Sequence, residues 1–496
     1  MLPRSLSPIW LVLSAIFLSA CAALPERLAL EEPEQEACLD IFLAADSLIE
    51  ERARHDAGAH RPADFPWLRS TRFLASFAGE LHQDRERWEA WLSRMSQEDL
   101  LARRHELANA RGLPAESDEI EAEIAALGEC AENLNHAIHY RADLQEALIR
   151  QSQVPDDYRT AQRWLGIYPI TRLFVLSGVN RLHNNQAEAL ASEAQPTPGA
   201  SWTHYLAEDA PGESKTTGAG TLTPPSAFER DPLGIPNASI EELSGWFQRH
   251  APIWRMEEAV SGDRIGKPEL ADDKHARVDT ERPVEYRYVS FARFNEEVVI
   301  QLNYMVWLPE RPRDGFFDLL GGHLDGAIWR VNLDSDGEVI AGESLHICGC
   351  YYMIFPGEDV RERPSQPGGE PIFVGPQLPK PAAGERIRLT RETGSHYLVG
   401  VSAAGETADV RLELRDPNEL RSLSGAGRHE SLYGRNGLVD GSERRERWLL
   451  WTMGVPSPGA MRQPGRHAIA FAGRRHFDQP DLLEHSLEAR DADVPR

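Results

Sequence analysis

The pattern of apolar positions divides the chain into a helical part and a strand-rich part. Between residues 34 and 185, apolar residues recur every three or four positions, as in the stretch 38–48. That spacing places them along one stripe of a helix. Between residues 229 and 480, β-branched and aromatic runs such as 286–294 and 298–307 are separated by Gly, Pro, Asp or Asn, which is typical of strands joined by turns. We therefore expect an α+β protein, with an all-helical N-terminal domain followed by a β-rich C-terminal domain that is sandwich- or barrel-like.

Three further segments complete the expected organisation. Residues 186–228 are rich in Pro, Gly, Ser and Thr and poor in apolar residues, which predicts a flexible linker. Residues 21–33 form a short acidic tether before the first helix, and residues 481–496 form a tail after the last strand.

The N-terminus has the features of an export signal. Arg4 precedes an apolar run from Ile9 to Phe17, which is too short to cross a membrane as a helix and is followed by small residues. The string Leu18-Ser19-Ala20-Cys21 resembles the lipobox of bacterial lipoproteins, whose signal peptidase cuts before a lipid-modified cysteine. The resemblance implies that residues 1–20 are a signal peptide and that Cys21 is the lipidated first residue of the mature chain. The alternative is an ordinary cleaved signal with a chance cysteine.

The resemblance also implies a location. Ala22 follows the cysteine, whereas an aspartate there retains lipoproteins at the inner membrane of enterobacteria. The lipoprotein resemblance therefore favours the periplasmic face of the outer membrane. The strings 66–69, 154–158 and 459–463 also look like pieces of uncharacterised proteobacterial lipoproteins, a resemblance that implies no activity.

Composition and charge restrict the partners. With 41% hydrophobic and 26% charged residues, the 496-residue chain has the composition of a soluble globular protein. Its formal net charge is −25, which disfavours nucleic acid as a partner. We expect contact with the membrane through the N-terminal lipid, and an envelope protein, a glycan or a small molecule as the other partner.

The remaining cysteines are even in number, as expected of an exported protein with disulfides. Cys38, Cys130, Cys348 and Cys350 allow three connectivities. We favour bonds from Cys38 to Cys130 and from Cys348 to Cys350, because each pair lies within one structural region. The alternative for the second pair is two buried small residues or two thiolate ligands.

One predicted hairpin carries the best candidate chemistry. Residues 334–337 read Asp-Ser-Asp-Gly, a turn sequence that favours a short loop. A two-residue or a four-residue loop would point several potential metal ligands to the same face of the hairpin, whereas a three-residue loop would separate them. These ligands are His323, Asp325, His346, Cys348 and Cys350.

A divalent metal, Zn or Fe, would be held by His323, Asp325 and His346 in this hypothesis. The string His323-Leu324-Asp325 resembles the His-x-Asp part of the facial triad of iron- and 2-oxoglutarate-dependent oxygenases, which implies a distal histidine, either His396 or His467. We favour the simpler reading, in which the glycine-rich surroundings form a turn and the two cysteines form a tight disulfide.

A second candidate is an anion site formed by Arg474 and Arg475, which also lie where the oxygenase resemblance would require an arginine near His467. The chain has no phosphate loop, no G-x-S-x-G and no H-E-x-x-H. We therefore favour a non-catalytic binding or structural module anchored in the cell envelope. The alternative is a periplasmic metal-dependent enzyme with its site at residues 323–350.

Overall fold

The computed structural model of the protein describes residues 30, 32–81, 84–192, 194–207, 222–238, 240–271, 275–364, 369–425 and 427–490. Its α-helices are α1 (Pro33–Arg52), α2 (Arg72–Ala75), α3 (Arg85–Arg111), α4 (Asp118–His139), α5 (Ala142–Gln151), α6 (Thr160–Leu165), α7 (Tyr168–Ala191), α8 (Ile240–His250), α9 (Arg447–Leu450) and α10 (Leu482–Ser486).

Most β-strands belong to the second part of the chain. They are β1 (Ser201–Ala207), β2 (Ile253–Glu258), β3 (Lys267–Leu270), β4 (Ala276–Asp279), β5 (Val284–Phe294), β6 (Glu297–Arg311), β7 (Gly322–Leu333), β8 (Val339–His346), β9 (Met353–Pro356), β10 (Val360–Glu362), β11 (Phe373–Val374), β12 (Glu385–Arg391), β13 (Leu398–Gly405), β14 (Val410–Arg415), β15 (Leu423–Gly425), β16 (Arg428–Glu430) and β17 (Leu487–Ala489). The prediction of helices followed by a β-rich part, an α+β fold, is confirmed.

The helical part is built around α1, α3 and α4, which pack against one another. Phe42, Trp91 and Leu127 are fully buried in their shared core. A disulfide between Cys38 of α1 and Cys130 of α4 joins two of these helices. These helices therefore form a bundle that is stabilised by apolar packing and by one disulfide bond.

The β-rich part contains one curled, mixed sheet of eleven strands in the order β11-β9-β8-β7-β6-β5-β14-β1-β2-β12-β13. Strands β5 to β9 form antiparallel neighbours, whereas β14 pairs in parallel with both β1 and β5. Both faces are covered: Met305 and Trp307 of β6 lie in one core, and Tyr304 and Val306 lie in the other. Burial on both faces explains why β6 is a nearly continuous apolar run.

The helical part and the sheet part pack directly on each other. Arg421 Nε donates to Asp56 Oδ2 at 2.8 Å, and Arg54 Nη2 donates to Glu430 Oε1 at 2.7 Å. Arg72 of α2 donates to Asp478 near the C-terminus at 2.9 Å. These ion pairs are partly buried, so they fix how the two parts meet.

Two segments differ from the sequence expectation. Within 186–228, the expected flexible linker, α7 continues to Ala191 and β1 pairs with both β14 and β2. Burial of Tyr205 and Leu206 of β1 explains why so short an apolar stretch forms a strand. Within the expected tail 481–496, β17 pairs with β10.

None of the described residues forms a helix that is long and apolar enough to cross a membrane. The predicted lipidation site, Cys21, lies outside the described residues.

Candidate binding cavity

A cavity of about 670 Å³ lies between α7 and the sheet-containing part of the molecule. Met353 of β9 and Phe373 of β11 contribute to its wall, together with loop residues at 349–352, 370–372 and 468–471. Most of the side chains that line it are aliphatic or aromatic. The size falls in the range of about 300–1,000 Å³ that is typical of small-molecule sites.

Helix α7 forms one wall of this cavity through residues spaced three or four apart. Thr171, Val175, Val179, Leu182 and Gln186 all line it, because these positions lie on one face of a helix. Gln186 is the one buried residue of α7, so the helix lies on the surface of the molecule and covers the cavity, and near its C-terminal end Leu190 packs against the core of the sheet. The first half of α7 is thus apolar because one of its faces lines the cavity and the side chains beside that face form an exposed apolar surface.

Two tyrosines and an arginine form a polar group at the cavity wall. The rings of Tyr351 and Tyr397, which both line the cavity, lie 4.5 Å apart between centroids. Arg311 donates to both hydroxyl groups, at 3.5 Å to Tyr351 and 3.4 Å to Tyr397. Tyr351 has a φ of +60°, a costly backbone conformation for a bulky residue. Such strain concentrates at functional sites, which singles out this tyrosine.

Glu446 adds an ionisable group to the same region. It lines the cavity, and burial raises its pKa to about 7 against the opposing charges of Arg311 and Arg444. Near neutral pH, the Glu446 carboxyl therefore exists in both protonation states. In its protonated state it is a hydrogen-bond donor, and in its ionised state it places a negative charge at the wall.

Behind Tyr351, four buried side chains form a chain of hydrogen bonds. His396 donates from Nδ1 to Asp325 Oδ2 at 2.8 Å and from Nε2 to Asp263 Oδ1 at 3.3 Å. His346 donates from Nδ1 to the other Asp325 oxygen at 3.3 Å, and its ring lies 4.9 Å from that of Tyr351. The cluster thus runs from Asp263 to the tyrosine at the cavity wall.

The protonation states in this cluster follow from burial and charge. Burial alone would lower the pKa of His396, but the hydrogen bonds that its ring donates to Asp263 and Asp325 raise it. Burial disfavours ionised Asp325, but His346 and His396 hold its pKa well below the usual range. Burial lowers the pKa of His346 to about 4, despite the nearby carboxylate. At neutral pH, Asp263 and Asp325 are thus ionised and His346 is neutral, and the two carboxylates favour protonation of His396.

The predicted metal ligands are only partly brought together. Asp325 and His346 lie in contact, but the His323 ring donates from Nε2 to the carbonyl oxygen of Ala276 instead. The reason is local: Leu324 adopts a φ of +58°, which breaks the strand alternation between the two residues on either side of it.

Arg444 holds this irregular segment in place, since its guanidinium donates to the carbonyl oxygens of His323 and Leu324. Among the described residues, no group of three or more His, Cys, Asp or Glu side chains is arranged to hold a metal ion. Of the two histidines considered as the distal ligand, His396 reaches Asp325, whereas His467 is buried beside Phe477.

The hairpin between β7 and β8 has a three-residue loop, but its strands pair in the register expected for a two-residue loop. Asp334 pairs with Glu338, which leaves three residues in the loop. A register shift at Leu333 then adds one residue on the β8 side, so that Ala327 faces His346 as a two-residue loop would require. The bulge therefore restores the side-chain alternation that a three-residue loop alone would reverse.

The predicted disulfide between Cys38 and Cys130 is confirmed, with the two Cα atoms 5.0 Å apart. The prediction of a second disulfide is wrong, because Cys348 and Cys350 are free thiols. β8 ends at His346, and the chain turns so that the Cys350 amide donates to the Cys348 sulfur at 3.4 Å. Cys350 lines the cavity, and its hydrogen bond with Cys348, together with burial, raises the pKa of its thiol.

The two arginines of the predicted anion site have different surroundings. Arg474 forms an ion pair with Asp156 on the surface of the molecule. Arg475 lines the cavity, and its Nη2 donates to the carbonyl oxygen of Glu370 at 2.9 Å. The Glu370 carboxyl also lines the cavity, and burial raises its pKa although it accepts two backbone amides. Only Arg475 is therefore placed to meet a ligand in the cavity.

Sequence reasoning missed five residues of this region: Asp263, Arg311, Tyr351, Tyr397 and Glu446. Asp263 lies in a single helical turn, Ser261–Asp263, whose position next to His396 depends on long-range packing. The others carry no motif. The signal nearest to them is Cys350-Tyr351-Tyr352, which directly follows the predicted ligands.

Comparison with protein-family models, with curated proteins and with solved structures finds no match.

Proposed function

We propose that this chain is a lipid-anchored protein of the bacterial cell envelope that binds an amphipathic small molecule in the cavity under α7. Cys21 would carry the anchor and hold the protein at the periplasmic face of the outer membrane. The observation that supports the binding role is the cavity itself, about 670 Å³ in volume and lined mainly by apolar side chains.

The walls favour a ligand with a long apolar body. Val175, Val179 and Leu182 of α7 lie on one side, and Met353 and Phe373 of the sheet also line the cavity. Burial of apolar surface contributes about 25 cal/mol for each Å² removed from water, so an acyl chain would gain affinity along its whole length.

The polar groups favour a ligand with one oxygen-bearing end. Tyr351 and Tyr397 supply hydroxyl groups beside the charge of Arg311, and Glu446 supplies a carboxyl that is protonated below pH about 7. Hydroxyl and protonated carboxyl groups donate to a carbonyl or carboxylate oxygen. A fatty-acid-like molecule therefore fits both parts of the cavity. The metal-dependent alternative at residues 323–350 gains no support from the described side chains.

Binding of a fluorescent fatty acid, cis-parinaric acid, tests this proposal. Val179 lines the cavity, and the neighbouring Asn180 is exposed on another face of the same helix. We expect Val179→Trp to weaken binding about tenfold or more, a loss of about 1.4 kcal/mol, because the indole occupies the ligand's volume. Asn180→Trp, the matched control, should bind as the wild type does. Equal affinity in the wild type and Val179→Trp would contradict the proposal, as would no saturable binding by the wild type.

A further inference from the structure

We propose that the exposed apolar surface around the cavity mouth docks into the headgroup region of a phospholipid bilayer, so that the cavity opens towards the membrane. This surface, the apolar rim, consists of the exposed apolar side chains in residues 164–174, 316–319 and 448–451. The inference rests on the proposed function, since it names the membrane as the source from which the amphipathic ligand would enter.

The exposure of the apolar rim is unusual for large apolar side chains. Trp164 is 83% exposed, Phe317 is 88% exposed and Trp448 is 72% exposed. Single exposed apolar residues are normal on a soluble protein, but contiguous patches mark sites of interaction with proteins, ligands or membranes.

The three segments of the rim form one surface. Leu449 lines the cavity together with Phe174 of α7. It also lines a shallow depression with Leu319, Arg445 and Trp448. Arg445 donates to the carbonyl oxygen of Phe316 at 2.8 Å, which ties the second segment to the third. The rim therefore borders the cavity directly.

The composition of the rim matches a bilayer interface. Tryptophan and other aromatic residues are enriched at the level of lipid headgroups, where their rings meet both apolar and polar surroundings. Arginines lie among them: the guanidinium of Arg445 is 5.6 Å from the Phe316 ring centre, and that of Arg447 is 5.0 Å from the Trp448 ring centre. The positive charge of Arg445 suits anionic headgroups, although Arg447 forms an ion pair with Glu443 at 3.5 Å and the whole chain carries a net charge of −25.

The proposed anchor would keep the rim close to a bilayer. Cys21 lies twelve residues before Pro33, where α1 begins. An extended tether of that length spans at most about 40 Å. A lipid at Cys21 would therefore provide one membrane attachment, and the rim would provide a second that orients the molecule.

Tryptophan quenching by lipids with brominated acyl chains tests this inference. The protein, isolated from the membranes of the cells that produce it, is mixed with vesicles of phosphatidylethanolamine and phosphatidylglycerol, and the vesicle-bound fraction is collected by flotation. We expect wild-type emission to be quenched, and Trp164→Phe/Trp448→Phe/Trp451→Phe, which removes the three tryptophans of the rim, to lose the quenched portion. Trp202→Phe, a control outside the rim, should lose unquenched emission only.

A second pair of variants removes the apolar rim itself. Phe316→Ser/Phe317→Ser/Trp448→Ser should abolish quenching of Trp164, because docking is lost. The control carries the same number of serine substitutions at exposed apolar positions of the helical part: Ile41→Ser/Leu43→Ser/Leu101→Ser. We expect this control to behave as the wild type does.

The inference would be overturned if the wild-type chain did not float with vesicles, or if Trp164 and Trp448 of the floated protein were not quenched. It would also be overturned if light scattering showed a dimer that the rim variant converts to a monomer. The last result would assign the rim to a second copy of the chain. The rim variant leaves the cavity lining intact, so cis-parinaric acid binding separates the two proposals. Quenching without probe binding would retain membrane docking and refute the binding function.

Discussion

Removal of the disulfide between α1 and α4 should have a large effect on stability. The bond joins Cys38 and Cys130, which are 92 residues apart in the sequence. In the chain-entropy model, a cross-link that closes a loop of this size restricts the unfolded chain by about 4–5 kcal/mol at 25 °C. We therefore expect Cys38→Ala/Cys130→Ala to lower the free energy of unfolding of the helical part by about that amount.

Urea unfolding followed by far-UV circular dichroism measures this loss, from the change in transition midpoint at constant slope. Reduction of the wild type with dithiothreitol should destabilise it to the same extent, and reductant should not affect the double variant. Cys348→Ala/Cys350→Ala is the matched control, since those thiols are free and this variant should respond to reductant as the wild type does. A loss below about 1 kcal/mol would refute the reasoning, because the bond would then not restrict the unfolded chain.

Three further predictions concern the groups at and behind the cavity. His396→Ala leaves the carboxylates of Asp263 and Asp325 buried without their histidine partner and should cost about 3–5 kcal/mol in thermal unfolding; a loss within error of zero would show the cluster to be solvated. Because the pKa of His396 is raised by folding, its contribution to the free energy of unfolding is fully present below pH 6.5 and is lost as pH rises through the folded-state pKa. The urea midpoint of the wild type should therefore fall as pH rises through that pKa, and the midpoint of His396→Ala should not. Ionised Glu446 should repel a carboxylate ligand, so wild-type affinity for cis-parinaric acid should fall as pH rises through about 7, whereas Glu446→Gln should show no such fall.

The parts of the fold that could be predicted are those in which the local spacing of apolar residues agrees with the burial of those residues in the structure. The apolar stripe of α1 could be predicted because a helix repeats its contacts every turn. The pairing of Cys38 with Cys130 could be predicted because both lie in the helical region. Ser96, with Asp99 three residues later, has a pattern that is typical of a helix start, yet it lies inside α3, which Asp84 caps by accepting the amide of Arg87. Two residues with equal capping ability are distinguished only by tertiary packing.

The candidate site could be predicted only in part, for a similar reason. The hairpin brought Asp325 and His346 together as expected, because strand alternation is a local property. Leu324 reversed the expectation for His323 through a positive φ that no sequence rule assigns to leucine. His396 and Asp263 reach the cluster from distant parts of the chain, and one face of α7 covers a cavity. Such arrangements depend on how whole elements pack.

Native mass spectrometry of the protein isolated from cell envelopes tests the central claim most directly, because it detects a ligand acquired in the cell. Wild type and Asn180→Trp should each carry a non-covalent amphipathic molecule with an acyl chain, and Val179→Trp should not. Denaturation should release this molecule but leave any lipid that is covalently attached at Cys21. The claim would be contradicted by no bound molecule in the wild type, or by the same bound molecule at equal occupancy in Val179→Trp.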